Sequence, residues 1–193
     1  SFATLISRIL GLVREMVLAK YFSVMATDAF FAAFRIPNLL RDLFAEGAMS
    51  AALVPTFSRA LAQSGRARTW RLASNTINLL LIVSGLVALA GVLFARPLVE
   101  LYASGFRQVP GKLELTVRLT RIMFPFLSMV TVAAVLMAIL NSLHRFFIPA
   151  FSPAMFNVAT ILCAVVFIPV LSRLGIEPIG AIAGGTLVGG LGQ

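Results

Sequence analysis

Charged side chains lie inside stretches of this chain that are otherwise apolar enough to cross a membrane. Arg8 and Arg14 fall in the first of these stretches, and Asp28 and Arg41 fall in the second. A charge at the centre of a bilayer costs at least about 2.5–3.5 kcal/mol on insertion scales, so each must face water, an opposite charge or a ligand. Arginine presents paired donors in a planar fork, which suits binding of an anion. The pattern predicts a polar cavity between membrane helices.

The stretch 28–50 carries the densest set of such charges. At about 100° per residue, one set of its charged residues follows a single narrow stripe on a helix. That stripe consists of Asp28, Arg35, Asp42 and Glu46. Arg41 points to a different side, and Pro37, which lacks a backbone N–H, should kink the helix and free a carbonyl group. Such a helix is suited to lining a polar cavity.

The first helix presents a second candidate face. Ser7, Gly11 and Arg14 are spaced at i, i+4 and i+7, so they share one side of the helix, with a small residue at its centre that permits close approach. Two interpretations of Arg14 stay open, direct contact with an anion, which we favour, and an internal ion pair. The ion pair would join Arg8 to Glu15, or Arg14 to Asp28 or Glu46.

The amino-acid composition of the chain indicates that membrane helices position these residues. The 193 residues are 60% hydrophobic and 12% charged, with a mean hydropathy of +0.98, whereas soluble domains carry roughly 25% charged residues. No alternating strand pattern is present, so we expect an all-α integral membrane protein with about six transmembrane helices in one lobe, residues 1–193. The predicted helices span approximately 2–22, 28–57, 72–94, 113–143, 153–171 and 179–193.

The formal net charge is +9, and most of the excess positive charge lies in predicted loops or at helix ends. The positive-inside rule explains this distribution, so we do not interpret it as a nucleic-acid-binding surface. The segment between the second and third predicted helices contains four arginines and no acidic residue. These are Arg59, Arg66, Arg68 and Arg71. By the positive-inside rule this segment is cytoplasmic, which places the N-terminus in the cytoplasm as well.

No catalytic or cofactor motif is present. The chain lacks a P-loop, a GxSxG motif and an HExxH motif, and Cys163 is its one cysteine. We therefore predict a protein that is not an enzyme and that uses neither a metal nor a cofactor.

Three long segments resemble a known family in the same order. They are SRILGLVRE (7–15), ATDAFFAAFRIPNLLRDLFAEGAMSAALVP (26–55) and AILNSLHRFFIPAFSPAMFN (138–157). They are similar to the MurJ (MviN) family of lipid II flippases, within the multidrug/oligosaccharidyl-lipid/polysaccharide exporter superfamily. By analogy with its roughly fourteen helices in two lobes, the chain is expected to be the N-terminal lobe, with both ends cut and the C-terminal lobe missing.

The resemblance implies a function and a set of site residues. Members of the family move lipid II, the undecaprenyl-pyrophosphate-linked peptidoglycan precursor, from the inner to the outer leaflet of the bacterial cytoplasmic (inner) membrane by alternating access. The partners expected are lipid II and membrane lipids. The substrate-binding positions carried over are Ser7, Arg8, Arg14, Asp28, Asn38, Arg41 and Glu46. Asp28 and Glu46 are expected to pair with the arginines when the pyrophosphate is absent.

Two alternatives remain at this point. One is an exporter of the same superfamily that moves another polyprenyl-linked or amphipathic substrate. The other is a membrane scaffold that binds partners without transport. The intramembrane charges argue against a scaffold, because a scaffold has no need of such costly residues.

Overall fold

A computed structural model describes residues 2–43, 48–173 and 178–193. Within these ranges the chain forms eight α-helices and one short 3-10 helix, Ser104–Gln108, and no strand. The helices are α1 (Phe2–Tyr21), α2 (Val24–Arg41), α3 (Ala48–Leu93), α4 (Ala95–Tyr102), α5 (Lys112–Met123), α6 (Phe126–Ser142), α7 (Phe147–Arg173) and α8 (Ile179–Gly192). The all-α prediction is confirmed.

The helix that carries the charged residues begins earlier than expected. Ser23 caps α2, accepting a hydrogen bond on its hydroxyl from the Ala26 N–H at 3.3 Å, which satisfies one of the free donors of the first turn. The helix continues through the buried Pro37 to Arg41. The predicted helix 28–57 therefore corresponds to α2 and the beginning of α3, which lie on either side of the segment 44–47.

The predicted connector between the second and third helices is also helical. α3 runs from Ala48 to Leu93 and is interrupted only at Gly65, whose φ of 73° and ψ of 171° are not helical. The segment 58–71 contains four arginines and three alanines, which favour helix. Glycine adopts positive φ without the penalty of a Cβ atom, so the break falls at this residue.

Prolines shape the later helices. α5 ends at Met123 and α6 begins at Phe126, directly after Pro125, because proline cannot donate the hydrogen bond that would continue α5. α7 begins at Phe147, before the predicted start at residue 153, and contains Pro153 and Pro169 within its length.

Two apolar cores hold the helices together. The larger one joins α1, α2, α5, α7 and α8 around buried residues such as Leu18, Phe30 and Ile182. The second joins α3 to α6 around Phe57 and Val135. The larger core fixes α1, α2 and α7 beside one another, and these three helices line a polar cavity.

Three described segments have the length and composition of a membrane span, namely Ala51–Leu93, Lys112–Ser142 and Phe147–Leu171. α8 is apolar but shorter. α1 and α2 are too charged to meet the same criterion, since α1 contains Arg8, Arg14 and Glu15 and α2 contains Asp28, Arg35 and Arg41. These two charged helices line the polar cavity together with the more apolar α7.

Candidate functional site

A cavity of about 760 Å³ lies between α1, α2 and α7, and we call it the central pocket. Its volume falls within the range of roughly 300–1,000 Å³ that is typical of small-molecule sites. Its lining residues are Ser7, Arg8, Gly11, Arg14, Phe31, Phe34, Arg35, Asn38, Leu39, Arg41, Ala150, Pro153, Phe156, Asn157 and Gln193.

Four arginines converge on the central pocket from two helices. Arg8 and Arg14 come from α1, and Arg35 and Arg41 come from α2. None of the described residues that line it is acidic. Four guanidinium groups around one cavity repel one another, and an anion placed between them relieves that repulsion.

Arg14 is the most enclosed of these cations. Its Nε is buried and has no hydrogen-bond partner, and its Cζ lies 5.9 Å from the centroid of the Phe156 ring, within the range of a cation–π contact. No carboxylate in the described part of the chain forms an ion pair with Arg14. A buried donor without an acceptor costs free energy, so this group is suited to a ligand oxygen.

A row of aromatic rings forms one wall of the pocket. Phe34 lies 5.7 Å from Phe126, which in turn lies 5.4 Å from Phe156, centroid to centroid. Glycines of α8 permit this packing: a Cβ atom on Gly189 would lie 2.7 Å from Cδ2 of Phe156, and one on Gly190 would lie 2.8 Å from Cδ2 of Phe126. The ring beneath Arg14 is therefore held in place by α6 and α8.

Asn157 joins α7 to α1 at the edge of the pocket. Its side-chain amide donates hydrogen bonds to the Ser7 carbonyl at 3.1 Å and to the Pro153 carbonyl at 3.2 Å. A polar side chain within an apolar membrane helix is expected to make an interhelical hydrogen bond, and Asn157 makes one. Because Ser7 precedes Arg8 directly, this bond fixes the start of the α1 face that carries both arginines.

The chain matches the family model described as "Lipid II flippase MurJ" over residues 18–193. The chain belongs to the MurJ family. A probable lipid II flippase MurJ of Buchnera aphidicola subsp. Acyrthosiphon pisum (strain APS) is 36% identical over 194 residues, covering 100% of this chain and 37% of that protein. A similar MurJ protein of Bdellovibrio bacteriovorus (strain HD100) is 40% identical, covering 98% of this chain and 36% of that protein.

A solved MurJ structure shares the fold. The lipid II flippase MurJ in an inward closed conformation aligns with a TM-score of 0.79 at 31% identity, covering 99% of this chain and 39% of that one. The chain thus spans less than two fifths of the length of these relatives, a share that fits the N-terminal lobe of MurJ. The MurJ family consists of lipid II flippases, which are transporters rather than enzymes.

The central pocket contains five of the seven substrate-binding positions carried over from the resemblance. Ser7, Arg8, Arg14, Asn38 and Arg41 all line it. Glu46 lies outside the described residues. Two further lining residues, Arg35 and Asn157, were not among the carried-over positions. Arg35 belongs to the charged stripe that the sequence predicts along this helix, and it lines the pocket.

The expected orientation of Arg41 was wrong. The α2 face of the pocket is wider than the predicted stripe, and it includes Phe31, Phe34, Asn38 and Arg41 at spacings of three or four residues. Arg41 also pairs with the adjacent Asp42, whose Oδ1 lies 2.8 Å from its Nη2. Asp42 belongs to the predicted stripe but is not among the lining residues.

Asp28 lies outside the central pocket of this MurJ-family chain. Its Oδ2 accepts a hydrogen bond from Nζ of Lys112, on α5, at 2.9 Å. The expectation that Asp28 pairs with the pocket arginines in the absence of substrate therefore does not hold for this structure. The pair instead connects α2 to α5 beyond one end of the pocket.

Proposed function

We propose that the chain is the N-terminal lobe of a lipid II flippase and that the central pocket binds the pyrophosphate of lipid II. The observation that carries this proposal is the set of four arginines around a pocket with no acidic lining residue, in a chain of the MurJ family. Its relatives are named lipid II flippases. A pyrophosphate supplies the compact negative charge that such a pocket lacks.

The four guanidinium groups of the lining suit a multiply charged anion such as a pyrophosphate better than a neutral sugar. Each guanidinium presents two parallel N–H donors to phosphate oxygens, and such charge-assisted hydrogen bonds are roughly twice as strong as neutral ones. Arg14 contributes an Nε donor that has no partner among the residues that the structure describes. The amide of Asn38 supplies a neutral donor beside the arginines.

Alternating access would expose this pocket first to the cytoplasm and then to the opposite side of the membrane. We infer a cytoplasmic N-terminus in the inner membrane, because the exposed arginines of α3 at 66, 68 and 71 have no acidic neighbour in sequence. The second lobe of the relatives would then close the pocket. Partial desolvation between two lobes strengthens the attraction between arginine and phosphate, since it lowers the local dielectric constant.

Complementation tests this proposal. Cells depleted of their own lipid II flippase would receive the full-length protein, as wild type, as Arg14→Ala or as Arg68→Ala, at matched membrane abundance. Arg68 is an exposed arginine outside the pocket and serves as the control. We expect wild type and Arg68→Ala to restore growth and surface-exposed lipid II, and Arg14→Ala to fail.

Other outcomes identify which part of the proposal is wrong. If Arg14→Ala also rescues, Arg14 is not required for pyrophosphate binding. If the folded, abundant wild-type protein fails to rescue, lipid II is not the substrate, and an exporter of another lipid-linked anion becomes the better assignment.

A further inference from the structure

The end of α2 nearest its N-terminus is attached to the segment formed by α4, the 3-10 helix and α5. Lys112 Nζ lies 2.9 Å from Asp28 Oδ2. One turn further along α2, the Ala32 carbonyl accepts a hydrogen bond from the Tyr102 hydroxyl at 2.7 Å. Both contacts join residues more than sixty positions apart in sequence.

Lys112 is held more firmly than an ordinary surface lysine. Its side chain is 11% exposed, whereas that of Asp28 is 50% exposed, and its ammonium lies 4.1 Å from the centroid of the Phe106 ring. Exposed ion pairs contribute little because water screens them. Here the lysine side chain is largely covered, so removal of Asp28 leaves a partly desolvated ammonium without its carboxylate.

The attachment bears on the pocket because α2 carries half of its cationic lining. Arg35 follows Asp28 by seven residues, or about two turns, and Asn38 and Arg41 follow on the same continuous helix. A helix is stiff over this distance, so its tilt at Asp28 sets where Arg35 and Asn38 lie. Tyr102 is close enough to Arg35 for the guanidinium to lower the pKa of its hydroxyl, against the larger increase caused by burial.

We propose that Lys112 is a positioning residue for the central pocket: its ion pair with Asp28 holds α2 against α5 and so sets the placement of the α2 arginines. The inference rests on the proposed function for its consequence in transport. It gives Asp28 a role different from direct contact with substrate. If Asp28 acts by pairing with Lys112, exchanging the acidic and the basic residue between these two positions should preserve the ion pair.

A charge swap tests the proposal in the full-length protein. The variants are Asp28→Lys, Lys112→Asp and the double variant, with Lys20→Asp as the control at the other lysine of the chain. Like charges placed together cost several kcal/mol, so we expect each single variant to lower lipid II flipping by roughly tenfold or more. The double variant should recover most of the rate, and Lys20→Asp should retain it. A double variant as inactive as Asp28→Lys would overturn the proposal.

A second readout does not require lipid II. Asn38→Cys places a thiol in the pocket, and Cys163→Ser removes the native one. The rate at which an anionic methanethiosulfonate modifies this thiol reports the placement of α2. We expect Lys112→Asp to change this rate severalfold and the double swap to restore it, in protein that is still folded at the temperature of the measurement. An unchanged rate in Lys112→Asp overturns the positioning role, whereas absence of flipping by wild type overturns only the proposed function.

Discussion

Charges are concentrated in two regions of this molecule, and the two regions differ in how those charges are compensated. In the central pocket, four arginines converge, no described lining residue is acidic, and Arg41 is paired with Asp42 outside the lining. The second region, which we call the α4–α5 charge cluster, consists of Arg96, Glu100, Arg107 and Glu114. Every charge in it has an opposite charge within ion-pair distance.

The geometry of the α4–α5 charge cluster is that of a structural network. Arg96 lies 3.2 Å from Glu100 and 3.0 Å from Glu114, and Arg107 lies 2.7 Å from the other oxygen of Glu100. Most of these side chains are exposed, so water screens each pair and its contribution to stability is small. Folding alone explains such a cluster.

The stability of the fold does not account for the arginines of the central pocket. The buried Nε of Arg14 lacks an acceptor, and an unmet buried donor costs roughly 1–3 kcal/mol. Sites that lower stability in this way persist where a ligand makes use of them. The comparison teaches that paired charges in this fold maintain structure, whereas accumulated charges of one sign indicate binding.

The largest expected effect is that replacing Arg14 lowers lipid II transport without lowering the stability of the protein. Arg14→Met removes a guanidinium that would bind phosphate, and hydrogen bonds to charged groups contribute about 1.5–3 kcal/mol, so flipping should fall by roughly 10–100-fold. The melting temperature of the full-length protein should stay unchanged or rise, because the unpartnered buried donor is gone.

Paired measurement of lipid II flipping and thermal unfolding on the same preparation checks this. Arg68→Met serves as the control because Arg68 is exposed and outside the pocket. A marked fall in melting temperature for Arg14→Met would mean that Arg14 supports the fold, and the comparison between the two regions would fail.

A smaller effect on flipping and stability is expected from a substitution that disturbs the aromatic wall behind Arg14. In Gly189→Ala the new Cβ would lie 2.7 Å from the Phe156 ring, over which Arg14 is placed. Overpacking of this kind costs typically 1–3 kcal/mol. We expect a lower melting temperature together with weaker flipping, since the ring must shift toward the pocket.

Gly184→Ala provides a matched control on the same helix, because nothing lies within 4 Å of a Cβ atom at Gly184. That variant should behave as wild type. If Gly189→Ala lowers stability but leaves flipping intact, the Phe156 ring does not position Arg14.

Much of the pocket could be predicted from local sequence. Arg8 and Arg14 were identified because a charge inside an apolar helix is costly, and both line the cavity. The hydrogen bond of Asn157 to α1 was expected for the same reason. These inferences depend only on residue type and position within one helix.

Predictions that required the relative placement of helices were less successful. Asp28 is 84 residues from its partner Lys112, and no spacing rule within one helix indicates such a pair. The face of α2 that carries Arg41 was assigned only from the angle of about 100° per residue around the helix axis. The width of the pocket depends instead on how α1 and α7 pack beside α2. The helical segment around Gly65 was taken for a connector because its charges outweighed its helix propensity.

The smallest expected effect is an acid dependence of stability that originates in the α4–α5 charge cluster. The hydrogen bond from Arg107, aided by the one from Arg96, lowers the pKa of the Glu100 carboxyl against an opposing effect of desolvation. A carboxyl whose pKa is lower in the folded state stabilises the fold above its unfolded pKa, about 4.3 for glutamate. That contribution is lost as the pH falls through the folded pKa.

The melting temperature of wild type should therefore fall more steeply than that of Glu100→Gln as the pH is lowered below about 4.3. At neutral pH, Glu100→Gln should be slightly less stable than wild type and should flip lipid II at the wild-type rate. Equal slopes for the two proteins would show that these ion pairs do not contribute to stability. A loss of flipping at neutral pH would instead give the cluster a role in transport, and the distinction between this ion-paired cluster and the arginines of the pocket would no longer hold.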